Sequence, residues 1–278
     1  MGEVWHGGWG LNPAFEWVPV SRIEEVAEDT FVISYAEPKN ATAIQAGQFC
    51  MVSSSPGSSD FYLPRPFSYY QVLAPHTIRI LFRIFGRATR WMAALKPGDK
   101  IGVFGPLGRA FTSRTGAQRA ILVAGGIGLP PLVLLAGKLA RLDKAPVIDL
   151  VYGEVKGARV IDLKGTLPET VRCHIATEDG QIGFKGLVTQ VLEKILSGSE
   201  TPPAVYTCGP KAMMAAVSDI LQPEKVELFE ASLEENMACG MGICQGCVIP
   251  IKAKDGAERY ECCCTEGPVF NGFEVKWR

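Results

Sequence analysis

The hydrophobic rhythm of the chain changes twice along its 278 residues. From residue 16 to about residue 103, short β-rich runs alternate with clusters of Pro, Gly and Ser, most clearly over residues 30–35, 48–52 and 77–84. In the last of these, Ile78, Ile80, Phe82 and Ile84 recur at period two while Arg79 and Arg83 take the other face, as in a half-buried antiparallel strand. Several such strands at close spacing predict a small antiparallel β-barrel. From Ala120 the texture becomes one of apolar runs and helical segments. Residues 120–124 read as a buried strand and residues 131–142 as a helix with Pro131 in its first turn. Strands follow over 147–152, 172–176 and 204–208, with helices over 186–196 and 211–221. This alternation predicts an α/β domain with a doubly wound parallel sheet. Beyond about residue 226 the chain is rich in Cys and Gly and too poor in apolar residues for an ordinary core, so a small module held by a metal is expected. The predicted domains are residues 1–115, including an aperiodic extension over 1–15, then 116–225 and 226–278.

Composition narrows the function classes. Length alone predicts about two domains. A net charge of -1 supplies no electrostatic basis for binding nucleic acid or an anionic membrane, so small molecules and proteins are the expected partners. Residues 120–137 are uncharged, long enough to raise a membrane span. The central Gly125-Gly126-Ile127-Gly128 and Pro130-Pro131 instead read as strand, turn and helix. The opening residues have neither the basic stretch nor the apolar core of an export signal. Nine cysteines, six of them in the last forty residues, fit a metal site in a reducing compartment, and a cytoplasmic location is expected.

Cys239, Cys244 and Cys247 are spaced Cys-x4-Cys-x2-Cys, the thiolate pattern of a plant-type 2Fe-2S cluster. Gly240, Gly242 and Gly246 between them let the backbone wrap closely and aim N–H groups at sulfur. Tetrahedral zinc is the competing occupant, but zinc ribbons favour two separated Cys-x2-Cys pairs. Spacing leaves Cys262, Cys263 and Cys264 as rivals for the fourth position.

Three further segments carry polar chemistry. Arg65-Pro66-Phe67-Ser68, before a predicted strand, offers a rigidly held guanidinium for phosphate and a hydroxyl beside aromatic surface for a flavin; a solvated Arg at a strand edge is the plain alternative. Gly86-Arg87-Ala88-Thr89 precedes a short helix expected over 90–95 and is either a diphosphate site or an ordinary N-cap. Gly125, Gly126 and Gly128 occupy the phosphate-cradle position of a dinucleotide fold, although their spacing departs from G-x-G-x-x-G. Cys208-Gly209-Pro210 ends a strand where ligands of such sheets bind, which puts Cys208 near a nicotinamide or leaves it a small buried hydrophobe. His6, His76 and His174 stand in unrelated contexts, and no hydrolytic set is present.

Taken in order, these motifs resemble the ferredoxin-NADP reductase superfamily over roughly residues 17–222, with an iron-sulfur module appended. The set Arg65 to Ser68, Gly125 to Gly128, Cys208 to Pro210, Leu233 to Cys247 and Cys264-Thr265-Glu266-Gly267-Pro268-Val269-Phe270 is similar to the electron-transfer subunit family of type B dihydroorotate dehydrogenase. The resemblance implies Cys264 as the fourth ligand and FAD contacts at Arg65, Pro66, Phe67, Ser68, Leu81, Phe82, Arg83, Ala88 and Thr89. Ala88 stands where such proteins often have Gly. The resemblance also implies NAD+ as acceptor and, as partner, an FMN-containing dihydroorotate dehydrogenase catalytic subunit in a heterotetramer of two subunits of each kind. The three modules leave no room for the additional barrel of about 250 residues that dihydroorotate oxidation would require. Two other readings are a subunit exchanging electrons with ferredoxin or a hydrogenase, and a zinc-stabilised binding protein without flavin.

Overall fold

The computed structural model describes residues 13–36, 41–55, 61–73, 77–252 and 256–277. Most of the 1–15 extension and His76 lie outside them. The barrel is built from β1 (Ala14–Ala27), β2 (Thr30–Ala36), β3 (Phe49–Ser53), β4 (Arg65–Leu73), β5 (Thr77–Arg83) and β6 (Lys100–Leu107). It closes in the order β1-β2-β5-β4-β3-β6, and α1 (Arg87–Ala93) lies between β5 and β6 in sequence. The alternation in β5 is realised: Ile78, Ile80 and Phe82 are buried inside the barrel with Val18, Ile33, Tyr69 and Ile101. Leu81, on the outward face, is also buried, because the dinucleotide-type domain packs there together with Val32 and Tyr70.

That second domain contains β7 (Arg119–Gly125), α2 (Leu129–Leu139), β8 (Val147–Glu154), β9 (Val171–Thr177), β10 (Phe184–Lys185), α3 (Val188–Ser197), β11 (Ala204–Cys208), α4 (Lys211–Ile220) and β12 (Leu228–Ser232). Strands β9-β8-β7-β11-β12 are neighbours and parallel. The apolar run of β7 divides between two faces as a doubly covered sheet requires. Ala120, Leu122 and Ala124 pack toward α2, while Ile121 and Val123 pack with Val188, Leu192 and Val217 of α3 and α4. None of these helices is long and apolar enough to cross a membrane, and the same holds for every helix among the described residues.

The last segment has β13 (Val248–Lys252) and β14 (Glu258–Cys262) as a two-stranded antiparallel sheet, followed by β15 (Val269–Asn271). The sequence predicts a small module, beginning near residue 226, held by its metal. In the structure the parallel sheet runs on through β12, and β15 adds to it antiparallel, Ser232 opposite Val269. The module also draws on the barrel wall: Phe49, Met51 and Leu107 share one core with Cys247, Ile249, Ile251, Cys263 and Cys264. Too few apolar side chains for a core of its own is therefore answered by borrowing one.

Candidate active site and cluster loop

The chain adds strands outward from β7 on one side through β8 and β9 and then crosses to β11 on the other, so the point between β7 and β11 is the switch point at which ligands of such sheets bind. There, on the side facing the barrel, lies a cleft of about 1550 Å³. It gathers Arg65, Pro66, Phe67, Ser68, Leu81, Phe82, Arg83, Ala88 and Thr89 from the barrel, and Gly125, Gly126 and Gly128 from the other domain. Segments as distant in sequence as Arg65 and Gly128 thus converge on one space.

The glycines act by contact. A Cβ on Gly128 would sit 2.4 Å from the Cys208 carbonyl group, and one on Gly209 would meet the Gly125 backbone at 2.9 Å. The turns after β7 and β11 are packed backbone to backbone, and their exposed side forms the cleft floor. Gly126 has φ +53, the left-handed conformation a side chain disfavours, and opens the short turn into α2. Helix α2 begins at Leu129, ahead of the expected residue 131.

Several polar groups already have partners. The Thr89 hydroxyl accepts from the backbone N–H of Phe85 at 2.9 Å and of Gly86 at 3.1 Å. It serves as the helix cap, and this is why α1 starts at Arg87 and not at Arg90. Arg65 donates to the Leu63 carbonyl at 2.8 Å and rests over the Phe61 ring. The Arg83 guanidinium is bound at three nitrogens, Nε to Thr30 Oγ1 at 2.9 Å, Nη1 to Glu154 Oε2 at 3.3 Å and Nη2 to Glu154 Oε1 at 2.6 Å. Tyr152 adds a 2.9 Å hydrogen bond to Glu154 Oε1. The Arg83 bonds fix the orientation of the guanidinium and use three of its five N–H groups. Glu154 was not singled out from sequence. Its position at the end of the strand after the glycine turn is the signal that marks it.

Cys208 is fully buried at the end of β11 and does not line the cleft; Gly209 and Pro210 do. Burial pushes its thiol well up, Glu234 adds to this, and the Ser232 hydroxyl opposes it. The structure thus places Cys208 behind the cleft floor, as a small hydrophobe would be.

From β12 the chain enters residues 233–237, which line the cleft, and continues directly into the cysteine loop. Glu234 faces the cleft and is reached by solvent there, yet protein surrounds it otherwise, and burial raises its carboxyl to about 7. In the loop, Cys239 Sγ accepts from Met241 N–H at 3.4 Å and Cys244 N–H at 3.5 Å, and Cys264 Sγ accepts from Gly242 N–H at 3.2 Å. Burial alone would raise the Cys239 thiol, but the N–H groups of Cys244, Met241 and Ile243 and the Cys244 thiol outweigh it and bring it to about 7. Cys239 lies beside Cys244, and Cys264 lies beside Cys247. Cys262 also borders Cys247, while Cys263 is buried and its Sγ donates to the Leu233 carbonyl at 3.4 Å.

This donor chemistry fits an iron-sulfur cluster, which thiolates on this loop would hold with N–H groups aimed at sulfur. Gly240 (φ +73) explains how the loop seats, since a Cβ there would lie 2.6 Å from Met51 Cγ on the barrel wall.

Comparison with known proteins agrees with this geometry. A family model described as the iron-sulfur cluster binding domain of dihydroorotate dehydrogenase B matches residues 234–276. The dihydroorotate dehydrogenase B (NAD(+)) electron transfer subunit of Desulforamulus reducens is 36% identical over 254 residues, 91% of this chain and 94% of that protein. The subunit of the same name from Listeria monocytogenes is 39% identical over 234 residues, 83% of this chain and 87% of its own length. Among solved structures, an NADH-dependent reduced ferredoxin-NADP oxidoreductase superposes with a TM-score of 0.80 at 23% identity, covering 94% of this chain and 90% of that one. A ferredoxin NADP+ reductase from Neisseria gonorrhoeae gives 0.63 at 15% identity, over 79% of this chain and 99% of that one. These two establish the reductase fold. With its barrel, its switch-point cleft and its cysteine loop in one chain, and with relatives matched over nearly their full length, the protein belongs to the family of dihydroorotate dehydrogenase B electron transfer subunits.

Proposed function

We propose that this chain takes electrons one at a time from the FMN of a dihydroorotate-oxidising partner subunit and passes them through a 2Fe-2S cluster and FAD to NAD+, in pyrimidine biosynthesis. The observation that carries this reading is the continuity of residues 233–237 with the cysteine loop, since the same short segment walls the cleft and leads into Cys239. When bound, the cluster supplies one-electron storage and the flavin supplies the conversion between single electrons and hydride. The chain's own residues supply placement. Cys239, Cys244, Cys247 and Cys264 hold the cluster, with Gly242 N–H and the backbone of Met241 and Cys244 bonded to sulfur. Arg65 to Ser68, Leu81 to Arg83, and Ala88 with Thr89 line the flavin side of the cleft, and Gly125, Gly126 and Gly128 form the floor on the dinucleotide side.

The partner contributes the dihydroorotate site, in an assembly of two subunits of each kind. The purified protein should show flavin and iron-sulfur absorption in its visible spectrum. A colourless, zinc-containing protein would overturn the reading in favour of a binding role. Co-purification with a hydrogenase or a second reductase subunit, and not with an FMN protein, would replace the pyrimidine assignment by the ferredoxin or hydrogenase one.

A further inference from the structure

A cluster passes electrons without protons, whereas a hydride is an electron pair together with one proton. Each NADH made from NAD+ and two electrons that arrive through the cysteine loop therefore needs one proton delivered inside the cleft. Among the described residues no histidine lines the cleft, and its carboxyls differ in what surrounds them. Glu154 is buried, with both oxygens engaged by Arg83 and Tyr152. Glu178 is exposed on the wall past β9. Glu234 stands where the sheet, the cleft and the cysteine loop meet. Ser232, at the end of β12, lies opposite Cys208 at the end of β11, and Leu233 N–H bonds the Pro268 carbonyl at 2.9 Å. Met237 is packed into the core beside the cysteine loop, so the backbone is anchored on both sides of Glu234.

On the protein side Glu234 neighbours two buried thiols, Cys208 and Cys263. The charged groups that share the cleft with it, Glu235, Lys211 of α4 and the Arg83–Glu154 pair, make no bond to it, and among the described residues its carboxylate has no hydrogen bond or ion pair. Such surroundings favour the neutral acid, and burial places the carboxyl at about 7, where one group can both hold and release a proton. We infer that Glu234 is the proton donor that accompanies the electron pair to NAD+, giving up its carboxyl proton inside the cleft and regaining it from water at the cleft mouth. In the reverse direction its carboxylate takes the proton that a hydride leaves behind. This inference rests on the reading that the cleft holds FAD and NAD+.

The test uses the full-length protein carrying FAD and its cluster, in wild type, Glu234→Gln and Glu234→Asp, with FAD content by absorbance reporting on folding. Two reactions of NADH separate the roles. Oxidation by ferricyanide turns NADH and two ferricyanides into NAD+, two ferrocyanides and one free proton. Hydride exchange from NADH to thionicotinamide adenine dinucleotide moves that proton together with the electrons and leaves none over. Glu234→Gln should lower the ratio of the first rate to the second by about hundredfold, the scale of one proton-transfer group. In wild type the ferricyanide rate should rise with pH through about 7, as the carboxylate forms; Glu234→Asp should keep a pH-dependent rate and Glu234→Gln should lose it. Infrared difference titration without NADH should show a carboxyl titrating near neutral pH in wild type that is missing in Glu234→Gln. An unchanged ratio in Glu234→Gln, whether both rates hold or fall together, overturns the inference, as does the absence of that carboxyl from wild type. If wild type catalyses no hydride exchange, the NAD+ reading itself fails and the inference falls with it.

Discussion

At the scale of single residues, the cysteines show what spacing can and cannot specify. Cys-x4-Cys-x2-Cys marks Cys239, Cys244 and Cys247 because a tight loop must carry them. The fourth partner depends on where β14 stops. That strand ends at Cys262, opposite Val248, and Cys263 N–H then bonds the Cys247 carbonyl at 2.9 Å. The turn that follows brings Cys264 under Gly242 N–H. No periodicity in the sequence records this register; Cys264 as the fourth ligand is what the resemblance implies, and it remains a proposal. We therefore expect Cys264→Ser to lose the iron-sulfur absorption and most of its iron, and Cys263→Ser to keep both, because a hydroxyl can replace the thiol that donates to Leu233. Iron content with visible circular dichroism checks this, and the opposite pattern would reject the ligand set. Cys208 was legible only as the end of a strand. That its side chain lies beneath the floor follows from how closely the Gly128 and Gly209 turns pack, a tertiary fact.

Elements with one clear rhythm were readable. The alternation in β5 and the unbroken apolar runs of β7 and β11 reflect burial on one face or on two. β12, β13, β14 and β15 were not read as strands, because they are short, Glu230, Pro250, Glu258 and Glu261 interrupt three of them, and much of their cover comes from the barrel wall. The link between β5 and β8 was equally hidden, since Arg83 and Glu154 are 71 residues apart. Yet this pair joins the two domains across the cleft, with side-chain exposures of 17% and 2%. Removing one partner leaves the other charge buried and unpaired, which typically costs about 3 kcal/mol. Glu154→Gln should lower the urea midpoint accordingly, and Arg83→Gln should be non-additive with it in a double-variant cycle. Additive losses of under about 1 kcal/mol each would mean that the contact does not brace the domains.

On the scale of the whole molecule, three structural units share surfaces. The cleft sits between barrel and parallel sheet, β15 ties the cluster segment to that sheet, and Phe49 both lines the cleft and shares a core with Met51, Leu107 and Met237 beside the cysteine loop. Packed protein thereby runs without interruption from the cysteine loop to the cleft. The barrel and the doubly wound domain could be read from the sequence because their cores are their own. The dependence of the third unit on both could not, because it is made by contacts between distant segments. The central claim is that the cluster stands between the partner's FMN and NAD+. Its most direct test is NADH formation from dihydroorotate by the purified FMN subunit, alone, with this chain, and with Cys264→Ser. NADH should form at an appreciable rate only with the unaltered chain. Equal rates with the Cys264→Ser chain, or dihydroorotate oxidation by this chain alone, would contradict the account.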